Sequence, residues 1–232
     1  MDDQGFGLLL EDEIDAGQAH RLLESIGFAD TQAAWVCIKR LASKSDIKDT
    51  LANLLPHLFL TLSGAASPDR ALVSFERFVN RSSASSDIFR DLAGNPRTVE
   101  ILVSLFSASR FLTEILLNNP ETYKQLAEHK RLAQPKDASQ LDEEIRATIA
   151  AFDQADEKLD ALRRFQRLEL LRIGACDLLD LFDLTAATAQ LSNLADSLVR
   201  ACLEIASARA HISTSGFGII AMGKLGGKEL NY

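Results

Sequence analysis

The sequence predicts a mainly α fold in which many helices lead into one strand and a glycine-rich turn. Three observations carry this. Apolar residues recur at intervals of three and four through most of the 232 residues, the period of one buried helical face. Three of the five prolines directly follow a polar residue, at Ser67-Pro68, Asn95-Pro96 and Asn119-Pro120. Proline lacks a backbone donor, and the first helical turn does not need one, so each pair reads as N-cap plus first helical residue. Last, Phe217, Ile219, Ile220 and Met222 form an apolar run too short for a helix and bounded by glycine, which suits a buried strand.

Taken in order, the pattern predicts helices over 16–26, 30–43, 46–62, 68–80, 86–92, 96–107, 109–118, 120–130 and 139–154. Short polar breakers separate them: Ser43-Lys44-Ser45, Ser63-Gly64, Arg81-Ser-Ser-Ala-Ser-Ser86 and Gly94-Asn95. Gln134-Pro135-Lys136-Asp137 is the clearest linker. Two longer helices follow. Leu159, Leu162, Phe165, Leu168, Leu171, Ala175, Leu178 and Phe182 make one continuous stripe. After a break near Asp183-Leu184-Thr185, a second stripe runs through Leu191, Leu194, Leu198, Cys202 and Ile205. No fixed repeat length joins these segments, which argues against a solenoid. Three regions result: a helical region over 1–135, long helices over 136–212, and the strand and turn over 213–232. A single strand cannot form a sheet. No earlier segment reads as strand, so the natural chain is expected to continue past Tyr232.

Composition excludes several classes. A net charge of −8 argues against non-specific nucleic-acid binding, which needs clustered positive charge. Met1-Asp2-Asp3-Gln4 has no basic leader character. The longest strongly apolar stretch, 54–62, contains Pro56 and His57 and falls far short of the ~20 residues that span a bilayer. Cys37, Cys176 and Cys202 show no metal spacing and leave an odd thiol, which fits a reducing cytoplasm. His20, His57, His129 and His211 are scattered, and Trp35 sits between apolar neighbours as a core residue would. Arg163, Arg164, Arg167 and Arg172 form a basic cluster straddling two helical faces. Contact with a phosphate or an acidic partner and simple ion pairing both remain open for it, with ion pairing favoured.

The chemistry concentrates at Gly216-Phe-Gly-Ile-Ile-Ala-Met-Gly-Lys-Leu-Gly-Gly-Lys-Glu-Leu-Asn-Tyr232. A P-loop is rejected, because the residues between Gly218 and Gly223 are the apolar strand, and Leu225 stands where a magnesium-binding hydroxyl belongs. A dinucleotide fingerprint at 216–221 is rejected because it precedes the strand. The surviving reading is a strand ending at Met222 followed by a turn in which Gly223, Gly226 and Gly227 let backbone approach a phosphate, with Lys224 and Lys228 adding charge. A plain strand-to-helix turn is the alternative.

Met222-Gly-Lys-Leu-Gly-Gly-Lys-Glu-Leu-Asn-Tyr232 resembles the signature of the bifunctional glutamine synthetase adenylyltransferase/adenylyl-removing enzymes. Leu162-Arg-Arg-Phe-Gln-Arg-Leu-Glu-Leu-Leu-Arg-Ile173 resembles that family's arginine-rich helix before the catalytic domain. Leu191-Ser-Asn-Leu-Ala-Asp196 resembles the helix after it. Residues 71–81, Asn95-Pro-Arg97 and 109–121 resemble its N-terminal helical region, so the likeness runs from about residue 70 to the end.

The resemblance implies that 213–232 opens a polymerase-β-type nucleotidyltransferase core and that 136–212 packs on the catalytic domain. It also implies that Gly223, Lys224, Gly226 and Gly227 bind phosphate or nucleotide. The family's Asp-x-Asp metal pair is expected just beyond Tyr232, so no catalytic or metal residue is assigned within these residues, and the chain alone is expected to be inactive. Asp153/Asp156 and Asp177/Asp180 are not substitutes, because they read as solvated helix faces. Implied for the complete protein are Mg2+, ATP or ADP and phosphate. The implied reactions are removal of AMP from an adenylylated tyrosine by phosphorolysis, releasing ADP, and addition of AMP. Glutamine synthetase and the PII signal protein are the implied partners, without nucleic acid or membrane, in the cytoplasm. The position of the turn implies the N-terminal, adenylyl-removing half of the enzyme. The rival reading is a non-catalytic helical protein-interaction module.

Overall fold

The computed structural model describes residues 8–10, 15–43, 48–82, 85–128 and 132–232. The expected features at Met1–Gln4, Lys44-Ser45, Ser83-Ala84 and His129 lie outside them. The chain divides into two compact units, Met1–Glu128 and His129–Tyr232.

The first unit contains a 3-10 turn at Leu8–Leu10 and helices α1 (Ala16–Ile26), α2 (Thr31–Ala42), α3 (Lys48–Ser63), α4 (Pro68–Arg81), α5 (Ser85–Ala93), α6 (Pro96–Ala108), α7 (Arg110–Asn118) and α8 (Tyr123–Ala127). Its centre is apolar and aromatic. Phe59, Phe75, Phe78, Phe89 and Phe106 are fully buried. Phe78 meets Phe106 with ring centroids 5.9 Å apart and Tyr123 edge-on at 5.7 Å, a geometry that adds to plain area burial. The α4 helix packs chiefly on α6, and α3 on α5 and α6. Asp15, Asp30 and Ser109 cap α1, α2 and α7 by accepting a backbone N–H.

The second unit contains α9 (Ala138–Ile149), α10 (Ala155–Leu178), α11 (Leu184–Ala210) and the short α12 (Gly223–Gly226). The stripes read from the sequence face one another in part: Leu178 and Cys202, read as stripe members, are exposed, and Ile173, outside the stripe as read, is buried. Leu141, Ile173, Leu191 and Leu194 form one buried cluster, and Ile145, Leu162, Ala201 and Ile205 another. Beside them lies a polar clamp. Lys136 Nζ donates to Glu169 at 2.7 Å and to Glu144 at 2.6 Å. Arg172 donates to Glu169 at 2.9 Å and to Gln190 at 2.7 Å. Gln190 in turn holds both backbone groups of Lys136. Thus the segment that precedes α9 is fixed against α10 and α11 by charge-assisted hydrogen bonds together with the buried Leu132.

The structure departs from the sequence reading in several places. The mainly helical reading stands, but no strand is present among the described residues, and 217–222 forms no ladder. The reason is that strand hydrogen bonds need a neighbour, and the described residues supply none. Ser67, Asn95 and Asn119 precede prolines at helix starts as expected, yet none makes a side-chain cap bond. Asn119 instead turns back to donate to Ile115 O at 2.9 Å. The helix read over 120–130 is a 3-10 turn, Pro120–Thr122, followed by the five residues of α8. The helix read over 139–154 ends at Ile149. The α10 helix stops at Leu178, before Phe182, where Asp180 turns left-handed at φ 54°. Phe182 is nevertheless buried, so there the stripe reported burial correctly and helix length incorrectly.

Candidate functional site

The glycine-lysine turn is placed by the end of α11. His211 adopts φ 55° and closes that helix, its N–H bonding back to the last turn. The histidine is therefore an exposed helix terminator. The chain then runs without helix from 212 to 222. Ile220 and Met222 keep 88% and 84% of their surface exposed, unusual for apolar residues gathered in one run. Phe217 and Ile219 border a cavity of about 540 Å³ along α10 and α11 that also includes Leu162, Leu198 and Cys202.

Two of the expected glycines have a structural reason. Gly223 sits at φ 61°, a conformation that L side chains rarely adopt. At Gly226 a Cβ would lie 2.6 Å from Ala221 O, so any larger residue pushes backbone against backbone. Gly227 differs, with φ −82° and nothing nearer its Cβ position than Gly223 O at 3.5 Å. Its lack of a side chain is not demanded by the turn.

Hydrogen bonds decide which donors the turn could offer. Gly226, Gly227, Lys228 and Glu229 each donate their N–H within the turn, to Met222, Gly223, Leu225 and Lys224 carbonyls. Leu230 N–H donates to Ser192 Oγ at 3.3 Å. Among the described residues the N–H groups of Gly223, Lys224 and Leu225 have no acceptor. The concavity expected from the glycines thus narrows to these three donors. Lys224 Nζ donates to Asn231 Oδ1 at 3.1 Å and retains further donors. Lys228 is committed to an ion pair with Asp196.

Three residues that position the turn escaped the sequence reading. Ser192 and Asp196 lie four apart on α11, hence on one face, and meet Leu230 N–H and Lys228. That spacing was the available signal. The Leu230 side chain completes the contact by packing on the Leu141–Ile173–Leu191–Leu194 cluster. Asp177, read as a solvated helix residue, lies close enough to Tyr232 for its charge to oppose ionisation of that phenol. Tyr232 keeps 55% of its surface exposed; the desolvation of its covered part and the Asp177 carboxylate raise its phenol above the ordinary pKa.

The remaining candidates resolve in different ways. Arg163 pairs with Asp160 and Arg172 with Glu169, whereas Arg164 and Arg167 are exposed with no partner among the described residues. His20 Nδ1 lies 2.7 Å from Thr31 Oγ1 and its ring meets Trp35 edge-on. Trp35 is only partly buried, and its Nε1 has no acceptor. No group of three or more His, Cys, Asp or Glu among the described residues could hold a metal. Asp196 is paired with Lys228, and Glu229, whose carboxyl carbon lies 3.8 Å from the Cβ position of Gly227, is a single carboxylate within the turn.

The sequence profile of the family described as glutamate-ammonia ligase adenylyltransferase matches residues 99–232, well over half of the chain. The chain belongs to this adenylyltransferase family. The match includes α10, α11 and the whole glycine-lysine turn. A bifunctional glutamine synthetase adenylyltransferase/adenylyl-removing enzyme of Leifsonia xyli subsp. xyli is 31% identical over 217 residues, covering 93% of this chain and 21% of the relative. Proteins of the same description from Thioalkalivibrio sulfidiphilus and Idiomarina loihiensis are each 26% identical, over 93% and 100% of this chain and 24% and 26% of their own length. The chain therefore spans about a fifth to a quarter of its adenylyltransferase relatives.

Proposed function

We propose that this chain contributes the N-terminal part of an enzyme that regulates glutamine synthetase by removing AMP from it and adding AMP to it. The observation that supports this most is the family match, which runs unbroken through the glycine-lysine turn. In this reading Gly223, Lys224, Gly226 and Gly227 surround the phosphates of ATP or ADP, or inorganic phosphate. The N–H groups of Gly223, Lys224 and Leu225 and the Lys224 ammonium orient the anion. Gly226 keeps the turn closed on Ala221, and Gly227 keeps its outer surface clear of side chain.

The described residues do not fit Mg2+, because the carboxylates near the turn form no cluster. Mg2+ enters the proposal only through the family's Asp-x-Asp pair. The reaction assigned to this half is phosphorolysis of adenylyl-tyrosine with release of ADP, and the residues above serve it by positioning. By themselves they hold no acid, base or nucleophile and are expected to be inactive. Glutamine synthetase and PII are the proposed partners, and the cytoplasm the proposed compartment. No helix of the described residues is long and apolar enough to cross a membrane.

The test uses the complete protein, adenylylated glutamine synthetase and inorganic phosphate, with ADP as the readout. Release of ADP that falls at least about tenfold in Gly227→Val, with the fold retained, is expected. No ADP from the unsubstituted protein would sink the removing assignment. The second reading, a protein-interaction module, is favoured by the exposed apolar run at 217–222. It gains if the turn variants leave nucleotide chemistry untouched.

A further inference from the structure

We propose that the first unit binds a small organic oxyanion, a carboxylate or phosphate ester with a short apolar body, in a groove between the N-terminal ends of α2, α4 and α7. The groove has a volume of about 490 Å³, inside the ~300–1,000 Å³ range of small-molecule sites. It involves none of the residues of the glycine-lysine turn.

Two arginines carry the argument. Arg70 lies in the first turn of α4 and Arg110 begins α7; both border the groove. Arg70 Nε is closed off from solvent and finds no acceptor. That N–H has lost its water without gaining a partner, whereas the terminal N–H groups of the same guanidinium are not closed off and also lack a partner among the described residues, and these an oxyanion in the groove can meet. Neither Arg70 nor Arg110 has a carboxylate partner among the described residues.

The acidic residues of the groove are already committed. Asp69 accepts the backbone N–H groups of Ala29 and Asp30 at 3.0 and 2.9 Å. Asp30 accepts Ala33 N–H at 2.9 Å. Glu114 pairs with Arg77 at 2.8 Å. These carboxylates keep their charge and balance the three arginines of the groove, so what favours an anion is the positive ends of three helices and the two arginines, Arg70 and Arg110, that have no partner among the described residues. The start of α4 carries no side-chain cap from Ser67. The apolar part of the wall includes Val73, which is 46% exposed despite its hydrophobicity. A cation would meet two unpaired arginines, and a purely apolar ligand would leave both guanidinium groups without a partner. An anion joined to a compact apolar body satisfies both parts of the groove.

The test is an NMR titration of the full 232-residue chain, following arginine Nε–Hε signals as inorganic phosphate, butyrate or phenyl phosphate is added. Phosphate against butyrate separates the two oxyanion sources, and phenyl phosphate against phosphate reports the apolar wall. The Arg70 signal is expected to shift saturably, most tightly with phenyl phosphate. Arg70→Gln and Arg110→Gln should each weaken binding at least about tenfold, the loss expected for one charge-assisted hydrogen bond. Gly227→Val should leave binding unchanged. Amide spectra establish that each variant is folded, and if Arg70→Gln is not, Arg110→Gln decides. An Arg70 signal that no oxyanion moves by about 10 mM overturns the proposal, since that corresponds to negligible affinity. So does binding that survives the arginine substitutions or vanishes with Gly227→Val.

Discussion

The two units reach stable helix packing by different means. In the first, five phenylalanines are fully buried and the helices close around aromatic contacts. In the second, apolar stripes join α9, α10 and α11, but the entering chain is held by Lys136, Glu169, Arg172 and Gln190. Glu169 is 6% exposed and serves two cations. An apolar core tolerates reshaping if volume is kept. A buried polar cluster tolerates little, because each missing partner strands a desolvated group. The second unit, which presents the glycine-lysine turn, is thus the more exactingly specified of the two.

The largest effects should separate these two modes of packing. Phe78→Ala empties the aromatic centre of the first unit at a cost of about 3–5 kcal/mol. Glu169→Ala removes the buried acceptor shared by Lys136 and Arg172, which keep Glu144 and Gln190, and is expected to destabilise the second unit by about 2–3 kcal/mol. Denaturant unfolding gives the size, and hydrogen exchange shows which helices respond. The comparison breaks if Glu169→Ala changes stability by less than about 1 kcal/mol, the value of an exposed pair.

Next in size, the two glycines of the turn should behave differently. Gly226→Ala forces its Cβ against Ala221 O and is expected to cost about 1–3 kcal/mol. Gly227→Ala meets only van der Waals neighbours and should stay within about 0.5 kcal/mol. Exchange of the Leu230 N–H, held by Ser192, reads out whether the turn stays docked. Equal effects at both positions would remove the structural distinction drawn between them.

The smallest effect is a pH dependence of the second unit. Burial works to raise the Asp142 pKa, but hydrogen bonds from Ser197 and Arg200 and the Arg200 charge outweigh it and hold the carboxyl below its ordinary value of 3.8. A depressed carboxylate stabilises the fold above its unfolded pKa, and that contribution is lost as pH falls through the folded value. Asp142 is 25% exposed and Arg200 50%, so the contribution should be under about 1 kcal/mol. Acid titration of stability below pH ~4 should flatten in Asp142→Asn, and an unchanged profile would assign the acid sensitivity to other groups.

Local pattern determined much of this protein. Periods of three and four located the helices of both units, because a helix buries the same face every turn whatever lies opposite. Proline placement marked three element starts, because the missing donor is a property of the residue itself. Family likeness at the glycine-lysine motif was also written in the sequence, since it depends on residue order alone.

Tertiary structure decided which polar groups have partners. Lys136, Glu169 and Gln190 lie up to 54 positions apart, and no local rule brings them together. The same holds for Ser192 and Asp196 beneath the turn, for Asp177 at Tyr232, and for Arg70 left without an acceptor. It also decided that 217–222 forms no ladder. A strand is a relation between two segments, whereas a helix satisfies its hydrogen bonds within one.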